Sequence, residues 1–175
     1  MLINLSELFS CQGKVKTYTL NLEMEQFHGP SGDYELAEKE PVTLTITHCG
    51  DKKMTVTGEA KLALMIPCDR CLELVKVPFE LSIEEELDMN QSDEERVEAL
   101  DEQPYISGYY LDVDQLVGNE LMLNLPMKVL CREDCKGICN QCGQNLNHGT
   151  CSCDSSVPDP RMSVIQDIFK QFKEV

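Results

Sequence analysis

The chain has 175 residues, 42% of them hydrophobic and 26% charged, with 15 Lys+Arg against 31 Asp+Glu for a formal net charge of −16, and 10 cysteines. A domain takes roughly 100–200 residues and disordered chains are poor in apolar side chains, so two large domains and wholesale disorder are both excluded. No apolar run approaches the ~20 residues of a membrane helix, and the start of the chain has neither the basic residues nor the long apolar stretch of an export signal, so a cytoplasmic chain with no membrane partner is expected.

Asn4 to Phe9 reads as a short amphipathic turn. Val15 to Phe27 alternates, with Tyr18, Leu20, Leu22 and Met24 on one side, which is strand periodicity. Residues 28–40 read as a loop. Val42, Leu44 and Ile46 then alternate with threonines up to a turn at His48-Cys49-Gly50-Asp51. Met54, Val56, Ala60, Leu62, Leu64 and Ile66 face one way until Pro67-Cys68-Asp69-Arg70-Cys71 interrupts them. Val75, Val77, Phe79, Leu81 and Ile83 resume the alternation, which places Cys68 and Cys71 at the tip of an antiparallel hairpin. Four such strands make a meander with one apolar face.

Ten acids fall between Glu84 and Glu102 with Arg96 as the one base, so residues 84–103 are expected to form a solvated acidic excursion. Pro104 to Leu111 has strand chemistry, and Asp112 can cap a helix carrying Val113, Leu116, Val117, Glu120 and Leu121, ended near Pro126. Leu121, Leu123 and Leu125 also alternate, so a strand there stays open. Asp159 as N-cap, Pro160 at the first helical position and a stripe of Met162, Ile165, Ile168, Phe169 and Phe172 predict a C-terminal helix. The fold class expected is α+β, an antiparallel meander with a few helices and a zinc-ribbon-like cysteine segment near the C-terminus.

Charge divides the chain in the same place as cysteine content. Residues 1–127 carry 9 basic and 25 acidic side chains, whereas residues 128–175 carry 6 of each. The expected organisation is an acidic body over 1–127 and a cysteine-rich ribbon with a helix over 128–175. An acidic surface draws basic proteins and repels phosphates.

Six thiols, Cys131, Cys135, Cys139, Cys142, Cys151 and Cys153, lie within 23 residues. In a reducing compartment such clusters are metal ligands or redox groups more often than disulfides. Cys139-Asn-Gln-Cys142-Gly143 has knuckle spacing, since two intervening residues let both sulfurs face one ion and the glycine permits the turn behind them. Cys151 and Cys153 complete a four-thiol set, the first candidate metal site. Cys68, Cys71, Cys131 and Cys135 are candidates for a second site, with a Cys68/Cys71 redox pair or free thiols as the alternatives. Cys11 and Cys49 have no partners at ligand spacing, and His148 reads as a surface residue that could replace a cysteine. Zinc suits these spacings, neither ferredoxin spacing occurs, and four thiolates leave no open coordination position, so the metal is expected to be structural. Phosphate loops, His-Glu-x-x-His and nucleophile-elbow motifs are all absent, and a non-enzymatic protein with no small-molecule substrate is expected.

Pro67-Cys-Asp-Arg-Cys-Leu-Glu, Asp112-Val-Asp-Gln-Leu-Val, Leu123-Asn-Leu-Pro, the run from Leu130 through Cys131, Cys135, Cys139 and Cys142 to Asn147, and Asp159-Pro-Arg161 together resemble the YceD family. These are bacterial and plastid proteins of large ribosomal RNA accumulation. The likeness extends over about residues 2 to 172, and the long cysteine ribbon is similar to the Gram-positive type. It implies a role in the synthesis, processing or stability of 23S rRNA during large-subunit assembly. Affinity for phosphate backbones comes chiefly from Lys and Arg, so an acidic body points to a basic ribosomal or assembly protein as direct partner, with rRNA contacted indirectly or locally through Lys128, Arg132, Lys136 and Arg161. A zinc-binding regulator and a thiol redox protein are the rival readings.

Overall fold

The protein is described here by a computed structural model covering residues 1–10, 12–91 and 103–153. Cys11, residues 92–102 of the expected acidic excursion and the C-terminal helix expected after Asp159 lie outside the described residues. The elements in chain order are β1 (Leu2–Asn4), a 3-10 turn (Ser6–Ser10), β2 (Val15–Leu20), β3 (Gln26–Gly29), β4 (Gly32–Lys39), β5 (Val42–Gly50), β6 (Lys53–Pro67), β7 (Leu74–Asp88), β8 (Ile106–Ser107), β9 (Tyr110–Asp112) and α1 (Val113–Asn124).

The larger sheet is antiparallel throughout, and its spine is the β6–β7 hairpin, paired without interruption from Lys53↔Asp88 to Pro67↔Leu74. The other edge of β6 is shared end to end. β5 pairs with it from Lys53 to Glu59 and β4 from Leu62 to Met65. β2 and β3 flank β5 and β4 in turn. Of the expected meander, β5, β6 and β7 follow one another side by side, but β4 and β5 share one edge of β6, so the sheet as a whole is not a simple meander. A smaller sheet, β1-β9-β8, closes one side of the core.

Alternation explains which face is inside. Val42, Leu44, Ile46, Met54, Val56, Ala60, Leu62, Leu64, Ile66, Phe79, Leu81 and Ile83 are all buried, whereas the intervening Thr43, Thr57, Glu59, Glu80, Ser82 and Glu84 are exposed. Helix α1 packs on this inner face beside β7. Its buried residues are Val113, Leu116, Val117, Glu120 and Leu121, the set predicted, and Leu123 is 73% exposed, so the strand alternative for 121–125 is excluded. Leu125, constrained by Pro126, is already extended.

Three expectations are corrected. Residues 28–40 are not a loop: they carry the end of β3 and all of β4, turned at Pro30-Ser31 and held by Phe27 stacked on Tyr34 at 6.4 Å. The charges of Glu35, Glu38, Lys39 and Glu40 hide a strand with few inward positions. Val15 to Phe27 is not one strand, because beyond Leu20 the backbone N–H groups of Glu23 and Met24 leave the ladder and donate to the Asp114 carboxylate on α1, at 2.9 and 3.1 Å. The acidic excursion does not begin at residue 84, since β7 runs on to Asp88 with Ile83 and Leu87 buried and Glu84 and Glu86 outward. Glu85 falls on the inner face where the pattern wants an apolar residue, which breaks the periodicity. Burial and the charge of Glu85 together push the Glu120 carboxyl upward. Among the described residues there is one α-helix and one 3-10 turn, and no helix among them is long and apolar enough to cross a membrane.

The Asp112 carboxylate accepts the N–H groups of Asp114 and Gln115, at 3.1 and 3.4 Å, which satisfies two of the donors that a helix start leaves free. Asp112→Ala is expected to lower stability by about 1 kcal/mol, read from the shift of the thermal midpoint, whereas Asp112→Asn is expected to keep most of it.

Candidate metal centre

The β6–β7 hairpin turns over Cys68 to Glu73. The Cys68 N–H donates to the Glu73 carbonyl at 2.8 Å and the Leu72 N–H to the Cys68 carbonyl at 2.9 Å, with Leu72 left-handed at φ +62. This tight reversal brings both hairpin cysteines to one side, where they are buried. The ribbon meets them there. Asp69 grips Val129 at both backbone groups, its N–H donating to the Val129 carbonyl at 2.9 Å and its carboxylate accepting the Val129 N–H at 2.6 Å. Arg70 donates to the Cys135 carbonyl at 2.8 Å, and its own carbonyl accepts the Ile138 N–H at 3.1 Å. Gly137, at φ +77, passes so near that a Cβ would stand 3.0 Å from the Arg70 oxygen.

As a result the sulfurs of Cys68, Cys71, Cys131 and Cys135 all lie within 4.8 Å of one another, although the two pairs are far apart in sequence. We call this the hairpin site. The Cys71 and Cys131 sulfurs stand 3.5 Å apart, and those of Cys68 and Cys135 3.8 Å apart.

Beyond it the chain forms a small hairpin of its own. Ile138 bridges Asn145, the Cys139 N–H donates to the Gln144 carbonyl at 2.8 Å, and Gly143, at φ +74, returns its N–H to the Cys139 carbonyl at 2.9 Å. Only a residue at ease with positive φ closes this turn, as the knuckle spacing anticipates. The sulfurs of Cys139, Cys142, Cys151 and Cys153 likewise all lie within 4.8 Å of one another. This is the ribbon site.

The thiols of each group share protons unevenly, because clustered like charges cannot all ionise. Burial pushes the Cys68 thiol up, but N–H groups of Arg70, Cys131 and Cys71 aimed at it outweigh that and hold it at about 6. Cys71, although it accepts the Glu73 N–H, is pushed up to about 12 by burial and by its three sulfur neighbours. In the ribbon site the N–H groups of Cys142 and Gln141 hold Cys139 at about 6, whereas the adjacent Cys142 sulfur, burial and Cys139 push Cys153 up to about 12. Each group therefore presents negative sulfur at neutral pH and retains protons that an incoming cation would displace. Four soft donors at these separations suit a tetrahedral, thiolate-preferring metal ion.

Outer contacts complete both groups. The Asn147 amide donates to the Cys135 sulfur at 3.3 Å while its oxygen accepts the Lys136 N–H at 2.8 Å. Glu73 receives the Cys71 thiol at 3.5 Å on one carboxylate oxygen and hydrogen-bonds His148 on the other. His148 thus stands outside both sulfur groups and is not a ligand in either. Asp69, Arg70 and Glu73, which fasten the ribbon to the hairpin, escape a reading based on ligand types alone. Their only sequence signal is their position inside or next to Cys68-x-x-Cys71. Cys49 lies apart and exposed, its sulfur 3.2 Å from the Thr55 hydroxyl, and no disulfide forms among the described residues.

Comparison with known proteins covers the segment that carries both cysteine groups. The family model described as large ribosomal RNA subunit accumulation protein YceD matches residues 56–169. The chain is similar to the uncharacterized protein YlbN of Bacillus subtilis (strain 168), 28% identical over 121 residues that make up 69% of this chain and 66% of that protein. It is also similar to the uncharacterized protein Rv2926c of Mycobacterium tuberculosis, 30% identical over 91 residues, 52% of this chain and 44% of that one. The chain thus spans less than two thirds of the length of these relatives. No solved structure matches.

Proposed function

The chain belongs to the YceD family, and from that premise we propose that it is a non-enzymatic assembly factor that promotes the synthesis, processing or stability of 23S rRNA through a basic protein partner. The observation that carries this reading is the extent of the family match, which runs from within β6 across both cysteine groups. The family's description supports a ribosome-related role.

Zinc is the metal we assign to both groups. All-thiolate tetrahedral sets of this kind are closed, with no position for substrate or activated water, which supports a structural ion and a non-enzymatic protein. Grouping of the thiols in fours favours this over a Cys68/Cys71 redox pair. The acidic partner surface follows from the sheet. Glu59, Glu80, Glu84 and Glu86 are exposed along the polar face and outer edge of β6 and β7, and the body carries the whole net charge. Such a surface repels RNA phosphates and attracts a basic protein. Lys128, Arg132 and Lys136 give the neutral ribbon a few cations for local phosphate contact.

The test is the ratio of 23S to 16S rRNA in cells depleted of the protein. The ratio is expected to fall, to recover with a wild-type copy and not to recover with Cys139→Ser/Cys142→Ser. An unchanged ratio on depletion overturns the ribosomal reading. Tight binding to protein-free rRNA fragments at physiological salt overturns the protein-mediated route.

A further inference from the structure

We propose that the two cysteine groups fill in a fixed order: the ribbon site takes its zinc first, and doing so assembles the hairpin site. This rests on the reading of both groups as zinc sites and is independent of the ribosomal reading.

The two groups are built differently. All four ribbon-site sulfurs come from residues 139–153, so an ion can gather them with only short loops to close. The hairpin site must join Cys68 and Cys71, already fixed by the β6–β7 ladder, to Cys131 and Cys135 on a segment with almost no regular pairing of its own. Closing the longer loop costs more entropy, so the affinity of this site depends on how well the segment is ordered beforehand.

Asp69 and Arg70 hold its backbone to the hairpin tip, and what further orders it around the sulfurs is the stretch between the ribbon-site ligands. Cys142 and Cys151 bracket residues 143–150, and binding one ion at both ends fixes that stretch. From it Asn147 reaches the Cys135 sulfur and the Lys136 N–H, which sets the ribbon half of the hairpin site. From it His148 reaches the Glu73 carboxylate, whose other oxygen meets the Cys71 thiol, which sets the hairpin half. The Leu146 N–H also donates to the Gly137 carbonyl at 2.9 Å, two residues from Cys135. The outer contacts of the hairpin site thus pass on both sides through a segment that the ribbon site holds. In the other direction the Arg70 carbonyl accepts the Ile138 N–H beside Cys139, a contact from the hairpin turn that is made whether or not the hairpin site is filled, and the knuckle at Cys139 to Gly143 is closed by its own backbone. Asn147 is accordingly a positioning residue for the hairpin site, and groups of this kind are worth about 10–100-fold in metal affinity.

The experiment counts zinc on the full chain and measures each affinity by competition with a chromophoric chelator. Wild type is expected to hold two ions. Cys131→Ser is expected to keep one at the tighter wild-type affinity. Cys142→Ser, altering a ligand that is exposed, is expected to lose the ribbon ion and to weaken the hairpin site at least 10-fold. Asn147→Ala, with every ligand intact, is expected to keep the ribbon ion unchanged and to weaken the hairpin ion about 10–100-fold. A Cys142→Ser protein that holds one zinc at wild-type affinity, or an Asn147→Ala protein with both affinities unchanged, overturns the order. A wild-type chain that holds no zinc overturns the metal reading itself, a result distinct from either.

Discussion

Stripping the metal with a chelator at neutral pH is expected to free residues 130–153 from protection against hydrogen exchange while β5, β6 and β7 stay protected. The two regions are stabilised by different means. The sheet buries a continuous apolar face against α1, with Leu44, Ile46, Val56 and Leu64 fully inaccessible. The ribbon has no such core: between residues 131 and 153 its buried side chains are Cys135 and Cys139, Ile138 is 38% exposed, and its regular pairing is the single bridge to Asn145. On the proposed reading of both groups as zinc sites, metal–thiolate bonds supply what apolar burial does not, and a structural zinc contributes roughly 10–16 kcal/mol of apparent folding energy at neutral pH. Exchange measured by mass spectrometry before and after chelation reads this directly, and a ribbon that stays protected without metal would contradict it. Acid should act in the same direction. Cys68 and Cys139 are held at about 6, below the ordinary thiol value, so what they lend is complete above the unfolded value near 8.5 and is lost as pH falls through about 6, whereas Cys71 and Cys153, pushed up to about 12, act with the opposite sign until a metal ion displaces their protons. The chelator concentration needed should therefore drop between pH 8 and pH 5.

Gly58→Ala is expected to destabilise the sheet by about 3 kcal/mol, at the upper end of what overpacking a core position costs. Gly58 pairs with Leu44 on β5 and Ile83 on β7, in the middle of the hairpin spine. A Cβ there would stand 2.3 Å from the Thr43 carbonyl oxygen and 2.7 Å from the Leu44 side chain. The first of these is backbone in a paired strand, so relief requires β5 and β6 to separate locally. The change should appear as a lower urea midpoint with the metal content unaltered, because Gly58 lies far along β6 from Cys68. A midpoint within 0.5 kcal/mol of wild type would mean that the strands part more easily than their pairing suggests.

The sequence announced whatever depends on a repeated period or a fixed spacing. Strands β5, β6 and β7 alternate cleanly, α1 carries its cap and its apolar stripe, and the knuckle carries its glycine, so each was legible. What was missed depends on contacts between distant segments. The break after Leu20 arises because Asp114, ninety residues on, captures the Glu23 and Met24 N–H groups. The inward Glu85 disguises the last turn of β7 because its neighbour Glu120 is on another element. The cysteine quartets divide the same way. Knuckle spacing pointed to Cys139 and Cys142, but nothing local pairs Cys68 and Cys71 with Cys131 and Cys135. Only the hairpin tip, with Asp69 and Arg70 holding the incoming chain, does that.

The uninterrupted pairing of β6 with β7 also sets which changes of length the chain can absorb. Every inward residue from Met54 to Ile66 is matched to one on β7, and no bulge along the ladder can take up a slip. Deleting one residue from the middle of β7 would turn one stretch of Phe79, Leu81 and Ile83 toward solvent, or else shift the register and drag the turn that carries Cys71 away from Cys68. Deleting two would restore the faces but still move the turn. Insertions should therefore be tolerated at the acidic end of the hairpin, beyond Asp88, and hardly at all between there and the cysteines. The rigid ladder acts as a reading frame for the cysteines at its tip.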